Sequence, residues 1–97
     1  MVLMAGPGQI SWKLVRSHLG VSRISMATPS EVLSVTGCEI GTVNPLGLPS
    51  PLRILADTNV FKFDDISIGS GIKGVAIIMR SSDLRVVIKT LEVEQFC

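Results

Sequence analysis

Gly69-Ser70-Gly71-Ile72-Lys73-Gly74 matches G-x-G-x-x-G letter for letter. Dinucleotide binding would need a helix opening inside these glycines, so that its first amides hold a pyrophosphate. The next residues are Val75, Ala76, Ile77, Ile78 and Met79, an apolar run with strand character and no helical stripe. The context therefore argues against a nucleotide and leaves two readings of the turn. One is a plain strand-to-strand connection whose glycines supply positive φ. In the other, bare backbone amides face a ligand that glycine allows to come close. A second irregular stretch, residues 38–51, carries Gly41, Pro45, Gly47, Pro49 and Pro51. No long helix or strand fits there, and a loop of this length in a small domain tends to be functional.

Other chemistry-bearing residues read more plainly. His18 has no acid placed to orient it as a base, so it is read as a solvated or half-buried helix residue. Cys38 follows a helix end and reads as a packed or exposed thiol; Cys97 is terminal. Two cysteines and one histidine cannot complete a four-ligand zinc site, and no metal or cofactor is expected. Asp64 and Asp65 are adjacent, and neighbours on a strand point to opposite faces, so they mark a turn or strand entry rather than an acid-base pair. Trp12, the only tryptophan, reads as a core or interface anchor on a helix.

The elements that must position these residues emerge from periodicity and breakers. Residues 2–5 read as a strand. Ser11 caps a helix carrying Trp12, Val15 and Leu19, which stops at Gly20. Residues 21–26 alternate like a half-buried strand. Thr28-Pro29-Ser30-Glu31 is a capping box with proline at the first helical position, opening a helix that ends at Gly37. Strands are expected over residues 52–57 and 65–68, and a strand buried on both faces over residues 73–79. Ser81 is expected to cap a last helix with Leu84, Val87, Ile88 and Leu91 on one side. The order β-α-β-α-loop-β-β-β-α predicts an α+β fold with a mixed sheet.

A chain of 97 residues, 46% hydrophobic and 18% charged, fits one globular domain over residues 1–97. A net charge of +1 gives no field strong enough to hold a polyanion by charge alone. The few cysteines suit a reducing cytoplasm, and the apolar start of the chain is too short for a signal peptide or a membrane span. At this size stability is thin, and subunit pairing would add to it.

Five segments, Trp12-Lys-Leu-Val-Arg-Ser-His-Leu-Gly20, Ser25-Met-Ala-Thr-Pro-Ser-Glu-Val32, Thr36-Gly37, Gly41-Thr-Val-Asn-Pro-Leu-Gly47 and Ile68-Gly-Ser-Gly-Ile-Lys-Gly74, together resemble the YbaK/ProX family. That family comprises free-standing editing proteins and inserted domains of prolyl-tRNA synthetase that hydrolyse mischarged aminoacyl-tRNA. The resemblance implies a mixed, barrel-like sheet flanked by short helices. Its pocket would accept the aminoacyl group on the tRNA acceptor end, with water attacking an ester carbonyl polarised by backbone amides. Carried onto this sequence, Gly41, Pro45 and Gly47 border the substrate, and Gly69, Ser70 and Gly71 form the catalytic turn. Each amide aimed at a developing oxyanion lowers a barrier by roughly 2.7 to 4 kcal/mol.

Family members are longer at the N-terminus, where a further strand carries a functional lysine. This chain is expected to lack that strand, and Lys13, Lys62 and Lys73 do not occupy the position of its lysine. Val75-Ala76 stands where some relatives carry a polar or acidic residue. Two functions are compatible with this: an aminoacyl-tRNA deacylase, or a shortened, catalytically silent member serving as a binding or assembly module. The expected partners are the mischarged tRNA end, an aminoacyl-tRNA synthetase and a second copy of the chain. That copy would pair symmetrically through residues 2–5 and the face of Trp12, Val15 and Leu19.

Overall fold

A computed structural model describes residues 1–97 apart from Pro7, Gly47, Ser50 and Pro51. The elements are β1 (Val2–Leu3), α1 (Trp12–Leu19), α2 (Pro29–Thr36), β2 (Leu55–Asp57), a 3-10 turn (Thr58–Lys62), β3 (Asp65–Gly69), β4 (Ala76–Arg80), α3 (Ser81–Val87) and β5 (Glu92–Glu94). Strands β1, β2 and β5 form one parallel sheet with β2 in the centre, and β3 and β4 form a separate antiparallel hairpin. The α+β expectation holds, but the barrel-like closure does not: among the described residues no strand pairing joins the two sheets.

The two sharpest local signals in the sequence act as their chemistry requires. Thr28 Oγ1 accepts the Glu31 N–H at 3.2 Å while Glu31 Oε1 accepts the Thr28 N–H at 3.0 Å, closing the capping box at the start of α2. Ser11 caps α1 by accepting the Leu14 N–H, and Gly20 ends it in the left-handed region at φ 70°.

Packing centres on β2, whose three residues are all buried. Ile54 and Ala56 meet Val60, Leu84 and Ile88 on one side, while Leu55 meets Val15 and Phe96 on the other. Asp57 is fully buried in this strand. Its Oδ1 accepts the Phe96 N–H at 2.7 Å and its Oδ2 the Asn59 N–H at 3.0 Å. One carboxylate thus ties the C-terminal segment to the central strand and starts the 3-10 turn, and both of its oxygens are satisfied in the dry interior.

Several expectations need correction. Residues 21–26 form no strand: only Ile24 among them packs toward the core, and among the described residues no strand pairing includes them. The strand expected over residues 52–57 is confined to Leu55–Asp57. The run expected to be buried on both faces is instead the open strand β4, with Ile78 75% exposed. Arg80, not Ser81, is the N-cap of α3, since the Ser81 hydroxyl donates to the Phe63 carbonyl at 2.6 Å. Helix α3 stops at Val87 because Ile88 leaves helical dihedrals, and the missed strand β5 pairs in register with β2. Trp12 is 38% exposed and is not a core anchor.

Candidate active site

The glycine turn leaves β3 at Gly69 and enters β4 at Ala76. Gly71 and Gly74 hold φ values of 85° and 80°, which residues with a Cβ rarely adopt. Inside the turn, the Ser70 hydroxyl donates to the Val75 carbonyl at 2.7 Å and accepts the Ile72 N–H at 3.2 Å, so this side chain holds the turn's shape.

The second glycine-containing stretch is built as a platform for the turn. Thr42 is buried, and both its amide and its hydroxyl donate to the Glu39 carbonyl. Asn44 Oδ1 accepts the Leu46 N–H at 2.7 Å, a side-chain-closed turn that sets the buried Pro45. The Thr42 carbonyl accepts the Gly71 N–H at 2.9 Å, which locks loop and turn together. A Cβ on Gly69 would sit 2.5 Å from the Thr42 carbonyl oxygen and closer still to that of Val43, so only glycine permits this approach.

Against this junction lies a cleft of about 610 Å³. One wall is β1 with Met4, Ala5 and Gly6; the other is β3; Val43 and Pro45 close one end, and Val60 and Leu84 lie at the base. Among the described residues neither β1 nor β3 has a strand partner on its second side. The lining is mostly apolar, and Asp65 and Ser67 are its ionisable and hydroxyl residues. The cleft lining includes no histidine, cysteine or lysine.

The chain matches the model of the aminoacyl-tRNA editing domain over residues 1–87. It belongs to that family. It is 31% identical over 84 residues to the multifunctional Ser/Thr-tRNA deacylase ProXp-y of Escherichia coli, covering 86% of this chain and 50% of that protein. It is also 36% identical over 70 residues to the proline–tRNA ligase of Trichlorobacter lovleyi, covering 72% of this chain but 12% of the ligase. The chain thus spans about half the length of the free-standing relative. Among solved structures, a candidate trans-editing enzyme for prolyl-tRNA synthetase superposes with a TM-score of 0.84 at 22% identity, covering 94% of this chain and 57% of that one. A scaffold protein used to present linear epitopes superposes with a TM-score of 0.88 at 18% identity, covering 98% and 62%. At these identities the structural likeness concerns the fold.

Within this editing-domain fold, the residues singled out in the sequence divide. Pro45 and Gly69 line the cleft. Gly41, with φ 88°, and Ser70 and Gly71 shape the loop and turn beside it without lining it. Gly47 lies outside the described residues. The Gly71 N–H is already taken by Thr42, so this glycine acts as a strut. Sequence reasoning passed over Asp65 and Ser67 as site residues, although their two-residue spacing on a strand was a usable sign of a shared face.

A second polar cluster lies apart from the cleft lining. His18 Nε2 lies 3.0 Å from Glu92 Oε1, and Arg53 grips both carboxylate oxygens of Glu92, with Nη2 at 2.7 Å from Oε1. Hydrogen bonds from Arg53 and then His18 pull the Glu92 carboxyl down to about 2. The His18 ring packs edge-on against Phe96. The cluster braces α1 against β5.

Proposed function

We propose that this domain hydrolyses the ester of aminoacyl-tRNA, with seryl- and threonyl-tRNA as the first substrates to try. The observation that carries the reading is the cleft bordered by Pro45 and Gly69, at the junction of loop and turn, in a chain of the editing-domain family. The aminoacyl group enters the cleft, and the backbone amide at Gly69 polarises its carbonyl. Water adds to the carbonyl carbon, the carbon–oxygen bond to the terminal ribose breaks, and the proton ends on the ribose hydroxyl. Gly71 and Gly41 serve by fixing the turn and loop. A mostly apolar cleft with one hydroxyl and one carboxylate suits a small amino acid side chain, and Ser67 and Asp65 are the groups placed to sense a hydroxyl on it.

In this reading residues 1–97 act as one editing unit in the cytoplasm. Among the described residues no helix is long and apolar enough to cross a membrane. The unit associates with a synthetase or with a second copy. For the second copy, the face expected on α1 is used internally, since Val15 is buried and Leu19 half-buried. The open face of β4 takes its place. A panel of mischarged tRNAs tests the activity: release of serine or threonine supports it, and a folded chain that hydrolyses none of the panel refutes it. Light scattering across concentration tests the assembly.

A further inference from the structure

Charge is distributed unevenly along this nearly neutral chain. Residues 1–30 hold three of the nine lysines and arginines and none of the eight acids. Two of the three, Arg16 on α1 and Arg23 in the segment after it, border one hollow. Arg16 and Arg23 meet Ser22 and Ser25 around a hollow of about 460 Å³. A second hollow, of about 180 Å³, continues from Arg16 and Ser25 to Trp12 and Met26. Among the described residues neither Arg16 nor Arg23 makes an ion pair. Trp12 is 38% exposed and Met26 74% exposed, an open aromatic face beside free guanidinium groups.

We propose that this groove is an RNA-docking surface, separate from the cleft, in which Arg16 and Arg23 hold phosphates and Trp12 stacks on an unpaired base or a ribose. The proposal rests on the tRNA reading and names where the nucleic acid is held outside the reacting end. Unpaired guanidinium groups suit phosphate geometry, and a flat aromatic beside them is the combination that holds single strands. The serine hydroxyls add donors to phosphate or ribose oxygens. Two such phosphate contacts are compatible with a net charge of +1, because the field that matters is local.

The only tryptophan in the chain reports on this groove directly. Titration with a short single-stranded oligoribonucleotide, and separately with deacylated tRNA, is expected to quench Trp12 fluorescence saturably. Arg16→Ala with Arg23→Ala is expected to weaken binding several-fold and to lower the slope of log affinity against log salt by roughly 1.4, two phosphates' worth for a single strand. Arg16→Lys with Arg23→Lys retains most of the slope, and Lys89→Ala leaves binding unchanged. RNA binding with no change at Trp12, or undiminished in the double alanine variant when its circular dichroism matches the parent, overturns the proposal. Equal quenching by poly-L-glutamate also overturns it, in favour of an acidic polypeptide partner. Quenching that persists in a chain unable to hydrolyse any aminoacyl-tRNA removes the deacylase reading and leaves the RNA surface. Hydrolysis without quenching does the reverse.

Discussion

Strands β2 and β4 are both short and apolar, yet they lie in opposite environments. β2 is buried at every residue, flanked by parallel neighbours and packed on both faces. Among the described residues β4 pairs with β3 alone, and its Ile78 is 75% exposed; on the following helix α3, Val86 and Val87 are 70% and 56% exposed. Local residue type decides that a strand forms; what packs against it decides whether its side chains stabilise the chain. The difference locates the stability in β2 and its neighbours, and leaves the hairpin as the wall of a cleft and an open face.

The sharpest form of that contrast is a pair of truncations. Leu84→Ala, in the packing beneath β2, is expected to cost about 2 to 5 kcal/mol, whereas Ile78→Ala is expected to fall within about 0.5 kcal/mol of neutral. Chemical denaturation of the two variants side by side checks this. An Ile78 cost comparable to that of Leu84 would mean that the open face is covered in solution. Next in size is Gly69→Ala, whose new Cβ meets the carbonyls of Thr42 and Val43. An expected cost of about 1 to 3 kcal/mol should appear together with lost hydrolysis, because the cleft wall has to move.

Thr28→Ala removes one half of the capping box and is expected to cost about 0.5 to 2 kcal/mol, with hydrolysis unaffected because no residue of α2 lines the cleft. An unchanged denaturation midpoint would show that the cap contributes nothing. The smallest effect concerns pH. The folded carboxyl of Glu92 sits near 2, below its ordinary value, so its contribution is present above about pH 4.5 and is lost as pH falls toward 2. Glu92→Gln should therefore flatten that part of the acid limb and leave its shape above about pH 5 unchanged. Identical acid limbs in variant and parent would show that the contacts with Arg53 and His18 do not act in solution.

Sequence legibility falls along the same divide. The helices α1 and α2 were readable to their caps because Ser11, Gly20, Thr28, Glu31 and Gly37 act through bonds within a few residues. The meeting of turn and loop was readable as a juxtaposition, and Gly69 proves to require it sterically. Strand β5 was not readable: Glu92, Val93 and Glu94 carry no strand signal of their own and pair only because β2 offers an edge. Residues 21–26 erred the other way, with an alternating pattern but no strand pairing among the described residues. The exposure of β4 and the groove along α1 were equally invisible, since both depend on what does not pack against them.

The central claim is that the cleft between β1 and β3 is where an aminoacyl ester is hydrolysed. Ser67 lines that cleft and is exposed, so Ser67→Trp is expected to occupy the space an aminoacyl group would take. The decisive measurement is the initial rate of amino acid release from seryl- and threonyl-tRNA by parent and variant, at matched circular dichroism and denaturation midpoint. The parent is expected to turn over and Ser67→Trp to lose most of that rate. A variant that hydrolyses as fast as the parent, with its fold intact, would place the chemistry somewhere other than this cleft.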